Sequence, residues 1–396
     1  MVETKFKHTD IGIIPEDWEY DFAGKYLDFL TGFPFKSNDF SNVGIKLLRG
    51  SNVKRNEIIW NDDITRYWEN IDNSLKKYFL KEGDIVISMD GSLVGRSFGQ
   101  IKKEDLPSLL VQRVARLRGK QIDTNYLKQY YCSEYFTKHC DNNKTSSAIP
   151  HISPKDILEF KISFPKSLPE QQAIAEVLSD TDNWIESLEK LIAKKQLIKQ
   201  GAMQQLLTPR EGWKINRLGN FVVFQTGFPF SSEYFNTKNK GLRLVKNRDL
   251  RSDDSIVYYS GDYPKDYLVN KGELLIGMDG DFEPILWKKD IALLNQRVGR
   301  VVPKKQISIP FLSFILVKKL KEIESSTGST TVKHLSHSDV EQIELELPKY
   351  EEQIRIATIL SDMDTEIEAL EQKLAKAKQI KQGLMQELLT GRIRLA

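Results

Sequence analysis

Two Met-Asp-Gly triplets, Met89-Asp90-Gly91 and Met278-Asp279-Gly280, each follow an apolar run. Their carboxylates could act as acids, but Asp-Gly at the end of a strand is turn chemistry, and the turn explains both copies. A second constellation, Pro154-Lys155-Asp156 followed by Glu159-Phe160-Lys161, has the spacing of a nuclease metal site. Such a site needs acids converging on a divalent cation with a lysine nearby. The matching place later in the chain keeps Asp339 but has Glu344-Leu345-Glu346 where Lys161 stands, and patterns this short arise easily. Cys132, His139 and Cys140 cluster without a fourth ligand, which structural zinc requires, and nothing answers to them in the second half. They read as buried or partly buried thiols on a helix. No G-x-x-x-x-G-K-[ST] phosphate loop occurs, and no Asn/Asp-Pro-Pro-aromatic tetrapeptide of amino-methyltransferases. The expectation is a chain with no catalytic residue, no metal and no cofactor.

The elements that position these residues are written twice. Glu170–Arg210 and Glu352–Arg392 align without a gap at an offset of 182 (352 − 170). TGFPF stands at Thr31–Phe35 and Thr226–Phe230, KEGDIVISMDG (Lys81–Gly91) answers to NKGELLIGMDG (Asn270–Gly280), and LLVQRVAR (Leu109–Arg116) to LLNQRVGR (Leu293–Arg300). SSAIPHIS (Ser146–Ser153) answers to STTVKHLS (Ser329–Ser336). Repeats of this kind decide the architecture: a mixed segment, a helix, a mixed segment, a helix.

In the first helix Leu178, Thr181, Ile185, Leu188 and Ile192 step by three and four; in the second Leu360, Met363, Ile367, Leu370 and Leu374 do the same. This is the a/d seam of a coiled coil. At 1.5 Å per residue each helix is roughly 55–60 Å long, and so narrow a stripe is buried most economically against its twin, as an antiparallel pair. The mixed segments carry strand-like runs at Asp84–Met89, Val111–Leu117, Ile157–Phe164, Leu274–Met278, Arg297–Val302 and Val340–Leu347, and helical patterns near Thr124–Cys140 and Pro310–Ile323. The fold class is therefore α/β (α+β): two duplicated mixed domains, each followed by a long helix. The expected boundaries are 1–165, 166–210, 211–348 and 349–396.

The 396 residues include 58 basic and 55 acidic side chains, a formal net charge of +3, so any nucleic acid is held by local patches rather than a global field. Two cysteines are too few for a disulfide framework and fit a reducing compartment. The N-terminus lacks the apolar core of a signal peptide, and no apolar run is long enough to span a membrane. A cytoplasmic location without membrane contact is expected.

IGIIPEDWE (Ile11–Glu19), the duplicated stretch LPEQQAIAEVLSD…KQGAMQQLLT (Leu168–Thr208) with its partner at Glu352–Thr390, GDIVISMDGS (Gly83–Ser92) and LLVQRV together resemble the specificity subunits of type I restriction–modification enzymes, over essentially the whole chain. The resemblance implies two target recognition domains, each reading one half of a bipartite site in double-stranded DNA. It implies a coiled-coil spacer that sets the gap of unread base pairs. It also implies docking of two modification (methyltransferase) subunits, which methylate adenine, and of restriction subunits, which translocate and cleave with ATP. Such domains often diverge within one chain; the shared TGFPF and neighbouring blocks point to related half-sites.

Reading DNA needs donors and acceptors at base edges, with phosphate contacts fixing register. The candidates are polar and basic clusters at matching places in both halves. In the first they are Lys36, Ser37, Asn38, Arg49, Ser51, Asn52, Lys54, Arg55, Lys144, Ser146 and Ser147; in the second, Ser231, Ser232, Lys246, Asn247, Arg248, Arg251, Ser329, Thr330 and Lys333. Gln112-Arg113, Gln296-Arg297 and His334 belong to the same set, although the Gln-Arg pairs sit in strand-like runs where an internal hydrogen-bonding role is open to them. Phe33, Phe35, Phe228 and Phe230 fit a core better than base wedges. Two other readings compete: a free-standing nuclease or methyltransferase, which metal-dependent cleavage lost in Asp156→Ala would favour, and a protein-only scaffold, which a gel shift with pooled duplexes would exclude.

Overall fold

The computed structural model describes residues 5–145, 150–326 and 333–395. The chain divides into two compact units: residues 1–189 with 373–396, and residues 190–372.

In the first unit, four antiparallel strands lie in the order Phe98–Gln100, Ile85–Ser88, Val114–Gly119, Leu27–Thr31. The strand Ile85–Ser88 is buried along its whole length, its apolar Ile-Val-Ile run being covered on both faces and Ser88 buried with it. A second sheet pairs Ser108–Leu110 in parallel with Ile45–Leu48, with Tyr67–Trp68 beyond. The second unit repeats the plan. Pro284–Leu286, Leu274–Gly277, Val298–Pro303 and Val222–Thr226 form its antiparallel sheet. Leu242–Val245 and Ala292–Leu294 form its parallel pair.

The long helices run Leu168–Leu206 and Tyr350–Leu388 without a break. In the first unit Ile174, Ala175 and Leu178 join a core with Leu384, Met385, Leu388 and Leu389. In the second, Ile356, Ala357 and Leu360 join one with Ala202, Met203, Leu206 and Leu207. The two sets are the same positions shifted by 182 (174 + 182 = 356; 202 + 182 = 384). The ion pair Lys381–Asp182 recurs, with the same shift, as Lys199–Asp364. Partner numbers fall as the helix number rises, from Asp182–Lys381 to Glu189–Lys378, so the pairing is antiparallel. All nine seam residues, Leu178, Ile185, Leu188, Ile192, Leu360, Met363, Ile367, Leu370 and Leu374, are buried or half-buried.

The C-terminal segment closes the first unit. Leu389 gives its carbonyl to the Tyr130 and Ser163 hydroxyls, each at 2.9 Å. Gly391, at φ +68°, lies where a Cβ would stand 2.5 Å from Pro15 Cγ, so both the backbone and the space require glycine. Arg394 forks onto Asp17 and Glu170.

Three local expectations are corrected. Ile157–Phe164 and Val340–Leu347 are not single strands: each opens in a short helix, Pro154–Leu158 and His337–Glu341, before the strands Lys161–Phe164 and Glu344–Leu347. The cause is a capping box in each, Ser153 with Asp156 and Ser336 with Asp339, which satisfies the first helical N–H groups. Asp156 is thereby occupied as a cap rather than offered to a metal. Gln112-Arg113 and Gln296-Arg297 precede their strands, which begin at Val114 and Val298, and form exposed turns. The stretch Thr124–Cys140 is two helices, Thr124–Tyr131 and Glu134–Asn143, because Ser133 caps the second.

Cys132 and Cys140 are free and buried, and burial pushes both thiols up to about 12. Neither should react with a thiol-disulfide reagent in the folded protein at pH 8, because the thiolate is the nucleophile. Both should react once the chain is unfolded in guanidinium; rapid labelling of the native protein would contradict this packing.

Candidate nucleic-acid interface

The first unit holds a cavity of about 870 Å³. Its walls come from three loops. The turn after TGFPF supplies Lys36, Ser37 and Asn38; the turn after Ile45–Leu48 supplies Arg49 and Ser51, with Lys54 beyond; the Met-Asp-Gly loop supplies Asp90, Ser92 and Ser97. Gln112 and Arg113 complete the rim. Eight of the expected DNA-binding residues thus converge, six between Lys36 and Lys54 and two, Gln112 and Arg113, from much further along the chain. Four basic side chains (Lys36, Arg49, Lys54, Arg113) face one acid, Asp90. Among the described residues, neither Lys36, Arg49 nor Lys54 is drawn into an ion pair; Arg49 lies over the Phe40 ring at 5.6 Å.

The remaining candidates of this unit stand apart. Asn52 is buried, its amide oxygen accepting from the Arg49 N–H and its amide nitrogen donating to the Ile59 carbonyl, so it shapes the turn from inside. Arg55 pairs with Glu134, and Lys144 with Asp141 at 2.7 Å. Ser146 and Ser147 lie outside the described residues.

The loop from Asp90 to Ser97 was not among the expected contacts, and the structure makes it a wall. It is seated on the helix Glu134–Asn143. Gly95 sits where a Cβ would come within 2.6 Å of Cys140 Cβ, and its carbonyl accepts from the Thr137 hydroxyl at 2.7 Å. Arg96 forks onto Asp141 at 2.8 and 3.0 Å. The Arg96 guanidinium, then the Lys144 ammonium, hold the Asp141 carboxyl well below the usual carboxylate range. A lowered native value means the pair stabilises the fold fully above the unfolded aspartate value, near pH 4, and loses that contribution as pH falls further. Asp141→Asn should therefore lower the urea midpoint at pH 6, while the difference from wild type shrinks steadily below pH 4. A difference as large at pH 2 as at pH 6 would refute the linkage.

In the second unit the corresponding cavity is about 250 Å³ and is lined by Asn247, Arg248 and Arg251 with Asp279, Asp281 and Glu283. Arg251 is held by Asp281 and by Glu283 at 3.2 Å. Lys246 is half-buried, and burial lowers its ammonium. Ser231 and Ser232 are exposed on a turn outside this cavity, and Lys333 lies 3.8 Å from Glu324. Ser329 and Thr330 lie outside the described residues. A packing exchange accompanies the difference in size. Gly50 faces Ser88 in the first unit; at the matching places Asn247 faces Gly277, where a Cβ would stand 1.8 Å from the Asn247 amide oxygen.

The rings of TGFPF pack inward. Phe35 and Phe230 are buried, and Phe33 and Phe228 meet them edge-to-face with ring centres 4.9 and 5.1 Å apart. Among the described residues there is no cluster of three or more His, Cys, Asp or Glu able to hold a metal, and no helix long and apolar enough to cross a membrane.

The duplication can be compared with known families. The profile of the family described as "Type I restriction modification DNA specificity domain" matches residues 15–200 and again 210–379. The chain belongs to the type I restriction–modification DNA specificity family. It is 34% identical over 204 residues to the type I restriction enzyme EcoBI specificity subunit of Escherichia coli, a match covering 50% of this chain and 43% of that one. The type I restriction enzyme MjaIX specificity subunit of Methanocaldococcus jannaschii is 23% identical over 441 residues, covering 99% of this chain and 97% of its own. The matches to the EcoBI and MjaVIII subunits span less than half of those relatives' length, 43% and 48%. Among solved structures, the type I restriction–modification system S subunit from M. genitalium shares the fold with a TM-score of 0.66 at 17% identity, over 98% of this chain and 99% of that one. The two mixed domains and paired helices of this specificity-family chain are thus a shared architecture.

Proposed function

We propose that this chain is the sequence-specific DNA-binding subunit of a type I restriction–modification system. Each mixed domain reads one half of a bipartite site, and the paired helices set the unread gap. The observation that carries the reading is the first cavity: four basic side chains against one acid, walled by polar loops, on a chain of a DNA specificity family. Cations position phosphates while amides and hydroxyls meet base edges, and both kinds of group are here side by side. The domain boundaries follow the repeat: 1–165 and 211–348 read, 166–210 and 349–396 space.

The catalytic work belongs to partners in this reading: adenine methylation to two modification subunits, cleavage to restriction subunits. An exposed apolar pair on the first long helix supports docking there. Val177 and Trp184, seven residues apart in the part of that helix that belongs to the first unit, are 36 and 37% exposed. Side chains of that kind are at home in a protein interface. The half-sites differ where the cavities touch them, because Ser51, Lys54 and Ser92 line the first where Arg248, Arg251 and Asp281 line the second.

The test is co-expression with a type I modification subunit from the same genome, followed by single-molecule mapping of methylated adenines. A bipartite motif with a fixed gap is expected. A stable complex that methylates without any motif would refute sequence recognition by this chain.

A further inference from the structure

The most closely repeated blocks of the two mixed domains do not scatter through the core; they build one frame. In the first unit the turn Gln112-Arg113 is held on three sides. Behind it is TGFPF: the Gln112 N–H donates to the Phe33 carbonyl at 2.9 Å, and Gly32 approaches so closely that a Cβ would stand 2.1 Å from the Val111 carbonyl oxygen. Beside it is Met-Asp-Gly: the Met89 N–H donates to the Arg113 carbonyl at 2.9 Å, and Arg113 Nη1 donates to the Asp90 carboxylate at 2.8 Å. Beyond Asp90, a backbone bridge joins His151.

The second unit repeats every part. The Gln296 N–H donates to Phe228 at 3.1 Å, a Gly227 Cβ would meet the Asn295 carbonyl oxygen at 2.2 Å, and the Met278 N–H donates to Arg297 at 3.0 Å. Arg297 Nε lies 3.4 Å from the Asp279 carboxylate, and His334, bridged to Asp279, places Nδ1 2.9 Å from it.

The frame presents one arginine outward in each unit. Arg113 is 70% exposed and Arg297 57%. Arg113 sits at φ +65°, a conformation that costs a non-glycine residue energy, so glycine would serve better if only the turn mattered. Neither side chain contributes apolar surface to a core. One Asp90 contact uses one of the five donors of Arg113 and restricts its swing, leaving a fork free at the rim of the basic cavity.

Building on the DNA-recognition reading, we propose that Arg113 and Arg297 each read one guanine, one per half-site, through a forked contact to O6 and N7, with Asp90 and Asp279 as positioning residues. A forked guanidinium matches those two acceptors in the major groove, and a held one loses less freedom on binding than a free one. The half-sites then share this guanine while the bases at the two cavities differ.

The test selects bound duplexes from a randomised double-stranded pool, using the full chain in complex with its modification subunits. Wild type is expected to enrich a two-part motif with a guanine in each part. Arg113→Ala should erase roughly ten- to hundredfold discrimination at one guanine only, and Arg297→Ala at the other. Arg113→Lys, which keeps the charge but not the fork, should lose the same preference while the salt slope holds. Asp90→Asn should weaken the preference without abolishing binding. Should Arg113→Ala fold poorly, Arg113→Gly retains the left-handed turn and gives the same readout. Uniform loss at all positions, or an unchanged guanine preference, would overturn the assignment and leave DNA recognition standing. No enriched motif from wild type would overturn both.

Discussion

Replacing Lys36, Arg49 and Lys54 together by alanine is expected to weaken DNA binding on the order of a hundredfold at physiological salt, taking roughly 1 kcal/mol for each phosphate contact. It should also flatten the dependence of log affinity on log salt by about three. The three line the first cavity, and among the described residues none of them is held in an ion pair; the cavity's one acid, Asp90, is paired with Arg113. They differ in this from Arg251, which Asp281 and Glu283 already hold, so Arg251→Ala should cost far less affinity. Binding titrations at several salt concentrations read both quantities. A triple variant with unchanged slope would remove the first cavity from the DNA path.

Replacing Leu178 or its repeat partner Leu360 by alanine should each destabilise the protein by about 3–5 kcal/mol. Both are fully buried, and each joins its helix to the core of one unit. Truncating the side chain forfeits the burial of one methine and two methyl carbons and leaves a void that two long helices cannot close without bending. The exposed Leu197, only nineteen residues from Leu178 on the same helix, should tolerate alanine within about 0.5 kcal/mol. Urea unfolding measures all three. Equal effects at Leu178 and Leu197 would mean that the helix is not buried by this seam. Because the chain forms two units, the curves should be read with two probes, one for each.

How legible was the site? The polar turns after TGFPF and after Ile45–Leu48 were readable because turn residues and cations cluster there in both halves. The wall from Asp90 to Ser97 was not, because its role comes from being seated on a helix more than forty residues away through Gly95 and Arg96. Asn52 shows the reverse error: its residue type suits a base edge, but its amide is spent inside the turn. Arg113 falls inside the strand-like run Val111–Leu117, because that run has no Gly, Pro, Asn or Asp to break it. The break is made by a left-handed arginine that Gly32 and Asp90 support from outside the segment.

By itself the sequence determined the duplication, the two long helices and their seam, since periodicity and repetition are local properties that survive without coordinates. It also determined the absence of a recognisable phosphate loop or methyltransferase tetrapeptide. Only the tertiary structure decided that the repeated blocks are a frame around one arginine in each unit, and that the two cavities differ in size and charge. It also decided that the chain's last residues, through Leu389, Gly391 and Arg394, complete the unit begun by its first. Those outcomes depend on contacts between residues tens to hundreds of positions apart, where backbone approach and charge pairing, rather than residue type, select the role of each side chain.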